Sequence, residues 1–210
     1  MMKLISKIMG ISTSVVFVLI LLSAGNAHAQ MKGDATLLIL NSSYGTGTTD
    51  LTENSLDAWG FSGAVEKVSW DGKYATGFAL GWSSFSAQAY NPPTPENPDA
   101  SPNPDPGIYY IDTFPAHVYG KMFFGNPKVK GYLGAGVGAY MSKVETCGDL
   151  GCVTTSTGNF SLNAPLGVYL FTSKSVFFNA NYVFNWLNDS PLKSDIAHFF
   201  NLGVGFQLGQ

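Results

Sequence analysis

The last stretch of the chain, Ile196–Leu208, limits what the rest can fold into. Ile196, His198, Phe200, Leu202, Val204, Phe206 and Leu208 share one parity; Ala197, Phe199, Asn201, Gly203, Gly205 and Gln207 share the other. A repeat of two residues is that of a β-strand, whose successive side chains leave on opposite faces. One face is bulky and apolar, the other small or polar. Such a strand needs grease on one side, polar surroundings on the other, and a partner along each edge.

The same alternation recurs upstream. Val176, Phe178, Ala180, Tyr182, Phe184 and Trp186 oppose Phe177, Asn179, Asn181, Val183, Asn185 and Leu187. Val129, Leu133, Ala135, Val137 and Met141 oppose Tyr132, Gly134, Gly136, Gly138 and Tyr140, and Leu166, Val168 and Leu170 oppose Gly167, Tyr169 and Phe171. Strands are predicted at 34–44, 57–70, 73–86, 108–124, 128–143, 158–172, 175–187 and 196–208, the first apolar on both faces and of open register. Asp71-Gly72, Gly125-Asn126-Pro127 and Ser173-Lys174 read as tight turns. The other links, 45–56, 87–107, 144–157 and 188–195, read as long polar loops. An even number of strands with short turns on one rim and long loops on the other predicts an all-β fold, an eight-stranded antiparallel transmembrane up-and-down β-barrel.

The N-terminus fits that expectation. Residues 1–29 carry Lys3 and Lys7, an apolar run from Val15 to Leu22, and the small-x-small ending Ala27-His28-Ala29. This is the pattern of a cleaved signal peptide, leaving 30–210 as one barrel domain. Cys147 and Cys152 stand in C-G-D-L-G-C, where an exported chain favours a local disulfide; a metal pair is the alternative.

Alternation alone leaves open which face points inward, and a soluble carrier barrel would bury the apolar one. Two features favour lipid outside. The opposite face carries amides and glycines, too polar for a greasy cavity. Trp59, Trp82 and Trp186 fall near the loop ends, and Trp70 and Tyr74 near the short turns, as two aromatic girdles would. The lumen is then expected to be lined by Tyr132, Gly134, Gly136, Gly138, Tyr140, Tyr169, Asn179, Asn181, Asn185, Asn201 and Gln207. At eight strands it is filled by side chains, which excludes a wide diffusion pore.

The whole mature chain resembles the small bacterial outer-membrane barrels of the OmpA, OmpX and OmpW type. The run Phe114–Tyr140, F-P-A-H-V-Y-G-K-M-F-F-G-N-P-K-V-K-G-Y-L-G-A-G-V-G-A-Y, resembles strands four and five of the OmpW-like group. The resemblance implies export to the outer membrane, contact with its lipids and lipopolysaccharide, and insertion by the barrel-assembly machinery. It also implies a possible small apolar ligand carried through a narrow conduit. These barrels usually end on an aromatic residue, whereas this chain ends Phe206-Gln207-Leu208-Gly209-Gln210, which shifts that assembly signal inward.

Chemistry is sparse. Gly134-Ala135-Gly136-Val137-Gly138 superficially resembles a phosphate loop but lacks its spacing and a following helix. His198-Phe199-Phe200-Asn201 faintly resembles a lipid A deacylase's His-x-Ser-Asn without the serine. No enzyme, cofactor, metal site or nucleic-acid partner is expected. Lys67, Lys73, Lys121, Lys128, Lys130 and Lys174 are expected at the short-turn rim, and Asp50, Glu53, Asp57, Glu96, Asp99, Asp105, Glu145, Asp149, Asp189 and Asp195 in the loops. Divalent cations bridging that acidic rim to lipopolysaccharide are conceivable; ordinary solvated charges are the plainer reading. The proline-rich Asn91–Gly107 reads as an extended spacer.

Pro115 and Pro165 fall inside predicted strands, where a closed barrel offers no free edge. Counting from the turns pairs Pro115 with about Val137 and Pro165 with about Gly136, both flanking Gly134–Gly138 at similar height. A bulge or weakened wall is expected there, either accommodating curvature or opening the lumen sideways. Two roles remain: a structural or surface-interaction barrel acting through its loops, or the narrow conduit with a lateral opening.

Overall fold

The computed structural model describes residues 31–49, 52–88, 108–148, 151–188 and 196–208. The expected signal peptide at 1–29 and the proline-rich Asn91–Gly107 lie outside the described residues, as do most of the acidic loop positions. Eight strands form one closed antiparallel barrel in sequence order: β1 (Thr36–Thr49), β2 (Thr52–Val68), β3 (Tyr74–Gln88), β4 (Ile108–Gly125), β5 (Val129–Gly148), β6 (Gly151–Phe171), β7 (Val176–Leu187) and β8 (Ile196–Leu208). Among the described residues, no helix is long and apolar enough to cross a membrane.

Closure is staggered. Starting at Leu37 and stepping across the ladder through Glu66, Gly77, Tyr119, Gly136, Asn163, Asn185 and Ala197, the path returns to β1 at Gly47, ten residues beyond its start. A stagger of this size tilts the strands and leaves an interior that side chains fill.

The short turns are built from the expected residues. Gly72 and Gly125 take φ values of 67° and 97°, which a side chain would disfavour. Asn126 Oδ1 accepts from the backbone N–H groups of Lys128 and Val129 at 2.9 and 2.8 Å. Ser173 Oγ accepts from Val176 N at 2.9 Å.

Two of the four long links are not loops. Residues 45–49 and 52–56 extend β1 and β2, and 144–148 and 151–157 extend β5 and β6, into long hairpins. Thr46, Thr48, Thr49 and Thr52, and likewise Thr146, Val153, Thr154, Thr155 and Thr157, explain the difference. β-branched residues favour extended backbone even where the faces are too polar to betray a strand by alternation.

The orientation is lipid outside. Leu40, Phe61, Phe78, Leu80, Val118, Leu133, Val137, Leu166 and Phe200 are exposed around the outer wall. The aromatic residues at its two margins include Trp70, 86 % exposed, below and Trp59 above, the latter packed edge-on to Trp82 at 5.2 Å. The open register of the first strand resolves as Leu37 and Ile39 inward and Leu40 outward.

Candidate functional site

The barrel interior is organised in layers. Nearest the short turns, Leu37, Ile39, Val68, Phe123, Phe171 and Phe177 pack with Tyr119, Tyr132 and Tyr169 into one buried cluster. Inside it lies an ion pair. Lys121 Nζ meets Glu66 Oε1 at 2.5 Å, with side chains 5 % and 0 % exposed. The Tyr119 hydroxyl donates to Glu66 Oε1 at 2.8 Å, the Tyr169 hydroxyl to the same carboxylate at 2.9 Å, and Lys121 donates to the Tyr169 oxygen at 2.7 Å. The ammonium also lies 4.2 Å from the Tyr132 ring centroid. A buried charge pair is tolerable only when its remaining donors and acceptors are met, and here tyrosines meet them.

Lys121 was expected at the rim and instead points into the lumen. Its parity is that of His117, Tyr119 and Phe123, all buried, so closeness to the turn in sequence does not place it at the mouth. Glu66, on the parity of Ala64 and Val68, was not singled out from sequence. The signal was present: Glu66 is the one acid on the inward parity of β2 and Lys121 the one lysine on that of β4.

Above this layer the lining turns to amides and hydroxyls. Tyr132 donates to Asn179 Oδ1 at 2.8 Å, Asn179 Nδ2 to Asn41 Oδ1 at 2.8 Å, and Asn41 Nδ2 to Ser62 Oγ at 3.2 Å. Asn201 Nδ2 donates to Asn181 Oδ1 at 2.6 Å, and His117 Nε2 lies 2.8 Å from Ser161 Oγ. Of these, Asn41, Ser62, His117, Asn181 and Asn201 border a cavity of ≈ 130 Å³ that also touches Lys121 below and Phe85, Tyr140, Leu187 and Phe199 above. Tyr140 and Phe85 belong to a second apolar cluster near the loop end, with Ile111, Leu187 and Ala197.

The lumen positions expected from sequence are placed as follows. Tyr132, Tyr140, Tyr169, Asn179, Asn181, Asn185, Asn201 and Gln207 are buried inside the barrel. Gly134, Gly136 and Gly138 lie on the same face of β5 as Tyr132 and Tyr140, half-buried. Gln207 is at the lower mouth, accepting from Lys32 N and donating to Lys174 O, both at 3.0 Å. Cys147 and Cys152 are direct backbone partners across β5 and β6, and their side chains lie outside the described residues. Among the described residues, no cluster of side chains could hold a metal ion. His198 faces outward and shares a hydrogen bond with the Tyr182 hydroxyl, and Phe200 occupies the position where the deacylase pattern has serine.

The prolines depart from expectation. Pro115 pairs with Tyr140 on β5, not Val137, and Pro165 comes opposite Gly134, not Gly136, which is itself paired with Tyr119 and Asn163. The two prolines therefore stand six positions apart along β5. No bulge forms at either, since the only register shift among the described pairs lies between Thr48 and Thr49. What appears instead is two gaps. The β3–β4 ladder skips from Leu80–Ala116 to Ser83–Thr113, and the β5–β6 ladder from Leu133–Leu166 to Gly136–Asn163. Phe123 N donates to Lys73 O, so odd residues of β4 bond toward β3; Phe171 N donates to Lys128 O, so odd residues of β6 bond toward β5. Each proline thus lacks its N–H on the interrupted side. The strands run on in register because Gly81 and Gly134 give the rings room, the latter to within 3.0 Å of where a β-carbon would sit.

Closed barrel, lipid-facing belt, girdles and a side-chain-lined lumen define a small transmembrane β-barrel, the fold that bacterial outer-membrane proteins use. No protein-family model matches the chain, and no curated protein sequence matches it. Solved structures are similar. Ail, the attachment invasion locus protein of Yersinia pestis, in complex with the heparin analogue sucrose octasulfate, superposes with TM-score 0.57 at 14% identity, over 85% of this chain and 100% of that one. Neisserial surface protein A does so with TM-score 0.55 at 14% identity, over 82% and 97%. A major outer membrane protein from Thermus thermophilus gives TM-score 0.53 at 10% identity, over 83% and 100%. At these identities the likeness is one of fold, and it does not distinguish the OmpW-like group within the class.

Proposed function

We propose that this protein is a structural or surface-interaction barrel that works through its loop-side extensions and performs no chemistry. The buried Glu66–Lys121 pair and its tyrosines carry the reading, because they fill the lumen between the cavity and the short-turn mouth. A barrel closed there is a pedestal rather than a pore. Ail is by name an attachment protein, which accords with a surface role. Its sucrose octasulfate ligand is polyanionic and suits this chain poorly. The formal net charge is −3, and it becomes two units more negative if Lys3 and Lys7 leave with a signal peptide. In planar bilayers the purified barrel should carry no steady current. Cells displaying it should adhere to a serum-protein-coated surface, and cells whose 144–157 segment is replaced by a two-residue turn should not. A stable wild-type conductance, or adhesion indifferent to that replacement, would count against the reading.

A second reading is favoured by one observation. Both ladder gaps border the central cavity, which Pro115 and Pro165 help to line. A small apolar molecule entering from the loop side could leave sideways through the wall rather than through the filled lower lumen. Co-purification of an alkane or detergent molecule, lost on restoring the ladder at Pro165, would support this conduit.

We further propose a Cys147–Cys152 disulfide. Phe160 O accepts from Asn188 N, so even residues of β6 bond away from β5. Cys147 and Cys152 are then a pair without ladder bonds, whose Cα atoms in antiparallel sheets lie roughly 4.5 Å apart. That is within disulfide reach. Protein from the periplasmic route should resist thiol alkylation until reduced.

A further inference from the structure

Most polar side chains around the central cavity are spent on one another. Asn201 Nδ2 donates to Asn181 Oδ1, Asn179 Nδ2 to Asn41 Oδ1, and the Ser83 and Thr113 hydroxyls share a hydrogen bond of 2.7 Å. Two buried side-chain atoms are left without a partner among the described residues, Ser142 Oγ and Asn163 Oδ1, and of these residues only Asn163 borders the cavity. Its Oδ1 stands over Gly136, in space that a β-carbon there would need. A buried acceptor without a donor destabilises a fold, so each one in a native structure needs a reason. The reason that these surroundings offer is a donor from a bound molecule.

The opposite side of the cavity is apolar and reaches the outer wall. Phe61 and Leu80 are exposed, and Trp82 shares their outward parity, yet all three border the cavity together with the inward Ser62, Gly81 and Pro115. Space therefore passes between lumen and wall at the β3–β4 gap, where the ladder skips Gly81 and Trp82. Asn163 stands at the edge of the other gap, since Gly136–Asn163 is the pair at which the β5–β6 ladder resumes. The cavity thus runs from an unmet acceptor at one gap to hydrocarbon at the other. Lys121 is the one charged residue on its lining and is already held by Glu66. A carboxylate or ammonium head would be buried there without a counter-charge. A cavity of ≈ 130 Å³ has room for roughly ten water-sized groups.

We infer that the cavity binds a neutral amphipathic molecule of that size, whose hydroxyl or amide head donates to Asn163 Oδ1 and whose hydrocarbon body lies against Leu80, Trp82 and Pro115. The inference rests on the conduit reading and names the chemistry of the molecule, since a donor head is what a plain hydrocarbon lacks. The head finds the acceptor that the chain leaves unmet, and the body meets rings and methyl groups in place of water.

The probes are benzyl alcohol, toluene, which lacks only the hydroxyl, and benzoate. Each is titrated into the full barrel in micelles at measured free concentration, with binding read from the side-chain amide resonances of Asn163 and Asn181. Benzyl alcohol should bind about tenfold tighter than toluene, as one hydrogen bond to a buried acceptor gives. Benzoate should not bind. Asn163→Leu should weaken benzyl alcohol by about tenfold and leave toluene unchanged or tighter. If that variant does not fold, the wild-type Asn163 carbonyl carbon reads the same contact, shifting with benzyl alcohol and not with toluene. Ring protons of the bound alcohol should show contacts to Leu80 and Trp82, and their absence overturns the placement of the body. An alcohol bound no tighter than the hydrocarbon, both indifferent to Asn163→Leu, overturns the donor head and leaves the conduit reading standing. Benzoate bound as well as the alcohol overturns the neutral head. If no probe binds, the inference falls, and alkane co-purification decides the conduit reading by itself.

Discussion

The two halves of the lumen solve the same problem in opposite ways. Toward the short turns, space is filled: phenylalanines and tyrosines close around one ion pair. Toward the loops, space is left: asparagines, serines and a histidine line a cavity roofed by Phe85, Tyr140 and Leu187. Glycines sit in both halves but serve differently. Below, Gly205 yields its volume to the Phe177 ring; above, Gly134 yields to Pro165. Stability is therefore concentrated below, and adaptability above. A barrel arranged this way can vary its loop side without losing its foundation.

The sharpest way to break that comparison is to unbalance the ion pair. Glu66→Gln leaves Lys121 buried without its counter-charge, and should cost about 3–5 kcal/mol of unfolding free energy. The double replacement Glu66→Gln with Lys121→Met should recover most of the loss, because it leaves no buried charge while the amide oxygen at 66 still accepts from the tyrosine hydroxyls. Urea unfolding in micelles, followed by tryptophan fluorescence, measures both. If the single variant is as stable as wild type, the lower half is not the foundation.

A pair of glycine substitutions separates the barrel from its extension. A β-carbon at Gly205 would lie 2.0 Å from the Phe177 ring, whereas one at Gly158 would meet nothing nearer than 4.0 Å. Gly205→Ala should destabilise the barrel by about 1–3 kcal/mol through overpacking, and Gly158→Ala hardly at all. The same urea titration reads both. Equal costs would mean that the hairpin is as tightly packed as the lumen.

What sequence could and could not reveal follows the same division. Alternation placed all eight strands, because a wall with lipid on one side and amides on the other writes its period into every crossing. It goes silent where both faces meet water, so Thr46–Thr49 and Thr154–Thr157 read as loop. Alternation also assigns a face but not a height. In a staggered barrel, distance from a turn is not depth, so Lys121, four residues from Gly125, lies within the lumen. Contacts across the lumen between strands that are not neighbours, such as Glu66 on β2 with Tyr169 on β6, leave no pattern along the chain. The prolines were legible as anomalies. Their consequence was not, because whether a missing donor makes a bulge or a gap depends on what stands opposite, and that needs the register.

Pro165→Ala sharpens the contrast in the upper half. It restores an N–H on the side facing Gly134, closes the β5–β6 gap, and should stabilise the barrel by about 1 kcal/mol, as one hydrogen bond does. Slowed exchange at residue 165, measured by hydrogen–deuterium exchange, marks the closed ladder. If stability rises while co-purified apolar ligand is unchanged, the gap is not an exit.

The smallest effect lies outside the lumen, in the Ser69–Lys73 turn. The Ser69 hydroxyl donates to Asp71 Oδ1 at 2.6 Å and the Lys73 N–H to the same oxygen at 3.0 Å. These donors, the hydroxyl foremost, hold the Asp71 carboxyl below the ordinary aspartate value of 3.8. A carboxylate lowered on folding contributes stability that is complete above its unfolded pKa and fades as pH falls through its folded one. Asp71 should therefore help the barrel at neutral pH and stop helping in acid below the ordinary aspartate range. Because the group is exposed, solvent screens most of the effect. Asp71→Asn should flatten the acid limb of the urea midpoint against pH while leaving the neutral plateau almost unmoved. An acid limb unchanged by that substitution would assign the pH dependence to other carboxylates.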